Sequence, residues 1–196
     1  MQPEQRPPSK ILRWVKFLDR VKAWSKGAPV HKDHVKAAYD LADAKAFKRP
    51  EVRKLQSEVQ FKGVHPEIVD FWRAMYKACK ARNIPVIAFE MLRTAERQDE
   101  LYRTGRSKAR GYTSPHQFGC AVDIVHAVDY WNISKKQWDI IGTIGKEVAR
   151  RRHLKIEWGG DWDGEYGRPN FWDPAHWQLK NWRDRADESK IGDEPT

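Results

Sequence analysis

The spacing of apolar residues changes several times along the chain, and each change marks an element. Ile11, Trp14, Val15, Leu18 and Val21 recur at three- and four-residue steps, with Arg13, Lys16, Arg20 and Lys22 around the rest of the wheel. That is the pattern of a basic amphipathic helix. Met1 to Lys10, with three prolines, reads as a disordered lead, and Gly27 to Pro29 stop the helix. A second helical stretch runs from about Lys32 to Phe47 and ends before Pro50. From His65 the texture changes. Pro66 suits a first helical turn, and Ile68, Phe71, Trp72, Met75, Tyr76 and Cys79 form one apolar face up to Lys80.

Ile84 to Phe89 is a short β-rich run, and Thr94 to Tyr102 reads as a helix. Residues 106–119, with Gly111, Pro115 and Gly119, read as a loop leading into a strand from Cys120 to Val125. Ser134-Lys-Lys-Gln137 is a capping box that opens a helix with Trp138, Ile141, Ile144 and Val148 inward. Leu154 to Trp158 is a third strand and Gly159 to Asn170 a long loop. Phe171 to Leu179 is a fourth strand whose middle Pro174 demotes to an edge or a bulge. Helices and short strands in this order predict an α+β fold.

Charge divides the chain in two. Residues 1–62 carry 15 basic and 7 acidic side chains, whereas residues 63–196 carry 22 and 20. The basicity that suggests an anionic partner therefore belongs to the first third. We expect three parts: a basic helical extension over 1–62, a catalytic domain over 63–185 and a flexible tail over 186–196. Residues 11–24 are a candidate for docking on an anionic envelope surface, the alternative being that this helix packs on the catalytic domain. No apolar run is long enough to span a membrane. No secretory signal is visible, so synthesis in the cytoplasm is expected, and Cys79 and Cys120 are read as free thiols. No nucleic-acid motif accompanies the charge, so no nucleic-acid partner is expected, and a monomer is.

Two stretches carry chemistry. In Ser114-Pro-His-Gln-Phe-Gly-Cys-Ala-Val-Asp123, an imidazole stands where a loop approaches a strand, and a carboxylate follows within an apolar run. Burying that carboxylate alone would cost several kcal/mol, so it must be paired, hydrogen-bonded or metal-bound. Asp173-Pro-Ala-His-Trp-Gln178 again sets a carboxylate and a His in an apolar segment. Two His and one Asp can hold Zn²⁺ with a fourth position open, and a remaining carboxylate can take a proton from water. Read from spacing alone, each His is more often a hydrogen-bonded structural residue, and the step from His116 to Asp123 is not a helical zinc signature.

The pattern S-x-H-x-x-G-x-A-x-D from Ser114 to Asp123 resembles the first metal motif of the zinc D-alanyl-D-alanine carboxypeptidase family. That family includes VanX-like dipeptidases, VanY-like carboxypeptidases and the L-alanyl-D-glutamate endopeptidases of phage endolysins. Asp173, His176 and Trp177 match its second motif, and Arg93, Thr94, Gln98, Leu101 and Tyr102 an upstream block. Glu157 to Trp162 is similar to the segment before the second motif in phage members. The resemblance covers roughly His65 to Lys180. It implies a small, mainly antiparallel sheet flanked by helices, of the Hedgehog and DD-peptidase type. It also implies His116, Asp123 and His176 as Zn²⁺ ligands, Asp173 as general base, and Arg93 near the scissile carbonyl, steadying charge on its oxygen. The implied substrate is the peptidoglycan stem peptide, cut by an endopeptidase of phage or prophage lysis that reaches the wall after release. The alternatives are a D-alanyl-D-alanine carboxypeptidase or dipeptidase, or a wall-binding protein without activity.

Other candidates have plainer readings. His31 and His34 lie on a solvated basic helix, and Cys120 belongs to the core. His126 and Asp129 either line the cleft or pack a loop. Asp161 to Glu165 echoes part of a calcium loop but reads as a polar turn. Trp131, Trp158, Trp162, Trp172, Trp177 and Trp182 bracket the site, some as core and some as cleft wall.

Overall fold

Helix α3 (Pro66–Lys80) shows how local chemistry sets the elements. His65 caps it, its Nδ1 accepting the Glu67 N–H at 3.1 Å, and Pro66 stands where no intrahelical N–H is required. In the computed structural model, residues 32–162 and 172–186 are described. The basic segment 11–24, His31, residues 163–171 and the tail from 187 lie outside them.

Before α3 come α1 (Lys32–Leu41) and α2 (Pro50–Ser57). After it follow β1 (Val86–Glu90), α4 (Ala95–Arg103), β2 (Ala121–His126), α5 (Lys135–Arg151), β3 (Ile156–Trp158), β4 (His176–Leu179) and α6 (Trp182–Arg185). The strands form one sheet in the order β1-β2-β4-β3, and every neighbouring pair is antiparallel. The expected α+β class with a small antiparallel sheet is borne out.

Two elements depart from expectation. The helical stretch expected to reach Phe47 ends at Leu41, because the Asp43 carboxylate accepts the N–H groups of Lys45 and Ala46 at 2.9 and 3.1 Å and turns the chain. Pro50 then opens α2 at its first position, where its missing N–H is harmless. The fourth strand begins only at His176. Pro174 has no N–H to give a ladder, and the His176 N–H closes a turn onto the Asp173 carbonyl at 3.1 Å.

The helices α3 and α5 cover one face of the sheet. Phe71 of α3 meets Trp177 of β4 with ring centroids 5.0 Å apart. Gly145 of α5 leaves room for the Trp177 indole; a Cβ there would clash with the ring edge. Ala37, Ala38, Leu41 and Val52 belong to the same buried cluster as Phe71, Ile141 and Trp177. Helices α1 and α2 thus contribute to the same core as the elements after residue 62. Helix α1 has one apolar stripe and buries it against α5. No described helix is long and apolar enough to cross a membrane.

Candidate metal centre

Residue types in the first motif follow from backbone geometry. Pro115 begins a single 3₁₀ turn, Pro115–Phe118, which ends at Gly119 with φ +63°. A Cβ at Gly119 would also press on the backbone of Gly63 and Val64, so only glycine fits. The turn directs His116 inward and feeds the chain into β2. There Asp123 lies directly opposite His176 of β4. On the other side of β2, an irregularity in β1 between Ala88 and Glu90 sets Glu90 opposite Asp123.

His116, Asp123 and His176 converge. His116 Nε2 stands 3.1 Å from His176 Nδ1 and 3.2 Å from Asp123 Oδ1, and His176 Nδ1 stands 3.1 Å from the same oxygen. The far nitrogen of each imidazole is already occupied. His116 Nδ1–H donates to the Met91 carbonyl at 3.1 Å, and His176 Nε2–H donates to Gln178 Oε1 at 3.0 Å. Those bonds turn both remaining imidazole lone pairs toward one another and toward a carboxylate oxygen. Only a cation or an extra proton reconciles three such acceptors. Tetrahedral Zn²⁺ with ligands at about 2.0–2.1 Å separates its donors by about 3.3 Å, close to what is found, so the residues present fit the metal. Among the described residues these three are the one such group of potential ligands.

The electrostatics of these side chains agree. Burial by itself pushes the Asp123 carboxyl up, but the two imidazoles outweigh it and hold the group well below the usual carboxylate range. Burial pushes His176 down, yet its hydrogen bond to Asp123 and the charges of Asp123 and Asp173 leave it raised. Asp173 sits beside the trio and outside the ligand group. Burial first, and the Asp123 charge second, raise its carboxyl, against the pull of His176 and His116. A backbone hydrogen bond from Ala175 anchors it.

Arg93 reaches the site, and its guanidinium is largely committed there. Nε donates to Glu90 Oε2 at 2.9 Å, Nη1 to Gln98 Oε1 at 2.9 Å, and Nη2 to both Glu90 Oε2 and Asp123 Oδ2, the latter at 3.3 Å. Four of its five N–H donors are thus spent on protein groups. Glu90 and Gln178 are the two site residues the sequence reading passed over. Period-two alternation from His176 could have found Gln178. Glu90 depends on the β1 irregularity, for which the sequence carries no signal.

A cleft of about 980 Å³ opens over the trio. Trp131, Trp162, Trp172 and Trp182 line it, whereas Trp158 and Trp177 are core. The Trp162 ring lies 5.2 Å from the His176 ring. His126 is absent from the cleft lining and packs a loop: its Nε2–H donates to the Leu41 carbonyl and its Nδ1 accepts the Asp129 N–H. Cys120 is buried. Asp161 pairs with Lys146 Nζ at 2.9 Å, and residues 163–165 of the calcium-loop echo lie outside the described residues.

Residues 107–179 match the family described as D-alanyl-D-alanine carboxypeptidase. The chain is 31% identical over 115 residues to the peptidoglycan L-alanyl-D-glutamate endopeptidase CwlK of Bacillus subtilis, a match covering 50% of this chain and 66% of that protein. Its structure resembles the crystal structure of the Serratia marcescens L-Ala D-Glu endopeptidase ChiX, with a TM-score of 0.52 and 29% identity over 67% of this chain and 90% of that one. The resemblance carried by the four sequence blocks is borne out.

Proposed function

The chain belongs to the D-alanyl-D-alanine carboxypeptidase family, and on that premise we propose that it is a zinc-dependent peptidase that cuts the peptidoglycan stem between L-alanine and D-glutamate. The observation that carries this reading is the convergence of three metal-binding donors with a fourth, raised carboxyl beside them, all facing one cleft. The two relatives named above are L-Ala-D-Glu endopeptidases, which favours that bond over the D-Ala-D-Ala bond.

His116, Asp123 and His176 would hold the metal, and the Met91 carbonyl and Gln178 Oε1 fix which imidazole nitrogen each His presents. When bound, zinc supplies a Lewis acid for the scissile carbonyl and makes a water acidic enough to attack near neutral pH. Asp173 takes the proton of the attacking water on its carboxylate and passes it to the leaving amine nitrogen. Its raised carboxyl suits that exchange, because a group that holds a proton more readily accepts it with less penalty. We assign Arg93 to holding Asp123 in place, since Glu90, Gln98 and Asp123 take most of its donors.

We further assign the protein to host-cell lysis by a phage or prophage, on the similarity of Glu157 to Trp162 to phage members of the family. Digestion of purified sacculi with and without a zinc chelator tests the reading. Chelator-sensitive release of stems carrying a new D-glutamate amino terminus is expected, by product mass. Release of free D-alanine would make it a carboxypeptidase, and no product at all would remove the peptidase reading. Lysis of outer-membrane-permeabilised cells by added protein tests the lytic role.

Gln178 provides a check that does not depend on turnover. Gln178→Leu leaves the His176 Nε2–H without its acceptor, in a residue only 7% exposed. Zinc affinity, read by competition with a chromophoric chelator, should fall by about 10–100-fold. Unchanged affinity would mean that this bond does not orient the ligand.

A further inference from the structure

The acidic residues lining the cleft, Glu90, Asp123 and Asp173, lie at its centre, and two of them are paired. Glu90 is paired with Arg93, and Asp123 with the imidazoles and Arg93. Toward the chain that follows α4 the lining becomes cationic, with Arg97, Arg106 and Lys108. Arg97 is partly satisfied by Glu100, at 2.6 Å. Arg106 and Lys108 are exposed, and their side chains form no hydrogen bond or ion pair with another described residue; the Arg106 side chain acts on Glu100 only through its charge.

This basic segment is built onto the metal centre. Gln98 is fully buried, and its Nε2 donates to Ser107 Oγ at 2.8 Å and to the Ala109 carbonyl at 2.6 Å. Its Oε1 accepts from Arg93, whose other side holds Asp123. The N–H groups of Arg106 and Ser107 both close onto the Leu101 carbonyl, at 2.8 and 3.0 Å, and Asp99 accepts the Gly111 N–H at 2.7 Å. Ser107 and Ala109 are thus pinned by Gln98, and residues 106–109 all line the cleft, with Arg106 and Lys108 its exposed cations there. A buried glutamine joining a proposed zinc ligand to a cationic turn positions charge relative to the reacting bond.

We propose that Arg106 and Lys108 form an anion subsite that receives free carboxylates of the stem peptide and registers the substrate over the metal centre. The proposal rests on the peptidase reading above and names the charge that its substrate must carry. Guanidinium and ammonium groups in a cleft concentrate anions, and the guanidinium fork matches a carboxylate.

The test uses the full zinc-loaded chain carrying Asp173→Asn, so that binding is read without turnover from the fluorescence of the cleft tryptophans. Two stem peptides of one sequence are compared, one with its carboxylates free and one with them amidated. An exposed charge pair contributes up to about fivefold in affinity, so two should favour the free acid by about 5- to 25-fold at low ionic strength. Adding Arg106→Gln and Lys108→Gln should erase that preference, and Arg106→Lys with Lys108→Arg should keep it. Equal affinity for the two peptides, or a preference that survives the glutamine pair, overturns the subsite. A basic turn serving only to stabilise the end of α4 would give the first of these results. Cleavage of either peptide by the wild-type chain is scored separately, so failure of the peptidase reading is distinguished from failure of the subsite.

Discussion

Asp173→Ala and Asp173→Asn should each bind zinc as the wild-type chain does and hydrolyse stem peptide about 10²–10⁴-fold more slowly. The first half of this expectation follows from geometry. The three mutually close donors are His116, Asp123 and His176, and Asp173 is not among them. The second half follows from its surroundings. Asp173 lines the same cleft as the trio, and burial and the Asp123 charge raise its carboxyl. A carboxyl so placed can take a proton at the start of the reaction and return it at the end.

The asparagine variant separates chemistry from structure. It keeps an oxygen to accept the Ala175 N–H, and with it the turn that presents His176. A structural role would therefore be rescued by asparagine, and a proton-transfer role would not. The pH profile adds an independent sign. A general base works only when deprotonated, so wild-type kcat/KM should fall as pH drops through the Asp173 titration, and that acid limb should be missing from the residual activity of Asp173→Asn. Near-wild-type turnover by Asp173→Asn would place the base elsewhere.

What could be read from sequence and what could not divide along range. Helix α3 begins at Pro66 and ends at Lys80 as the sequence pattern indicates, because its cap, its proline and its apolar face are all local. Helix α5 is equally local: Ser134 caps it, and Trp138, Ile141, Ile144 and Val148 are buried. Pro50 can stop one helix or start the next, and the Asp43 turn, which ends α1 at Leu41, leaves it to start α2. The ligand trio was suggested by motif and residue type. Its opposed placement of Asp123 and His176 is a matter of strand register between segments some fifty residues apart. No local pattern states a register. The same limit hid Glu90, and with it the ionic setting of Arg93.

Arg93→Leu is expected to destabilise the metal-free chain by about 3–5 kcal/mol, the cost of removing one partner from a buried charged group. For a chain of this size that lowers the melting temperature by about 6–20 °C. The guanidinium side chain is 8% exposed, and the carboxylates it serves, Glu90 and Asp123, are 19% and 14% exposed. Those two are neighbours across β1 and β2, so leucine leaves like charges facing each other with little solvent between them. It also strips Gln98 Oε1 of its donor, loosening the anchor of Ser107 and Ala109. Adding Glu90→Leu removes one of the opposed charges and should recover part of the loss, a coupling that a double-mutant cycle measures. Zinc should recover another part, since a cation bound to the native state by Asp123 compensates that carboxylate and stabilises by mass action. The penalty should thus be smaller in the zinc-loaded chain. The role implied by family resemblance, a guanidinium meeting the carbonyl oxygen, makes the opposite forecast: intact stability in both forms with a collapse of kcat. Thermal melts of Arg93→Leu with and without zinc, set beside its turnover, decide between a guanidinium that acts on the substrate and one that acts through Asp123.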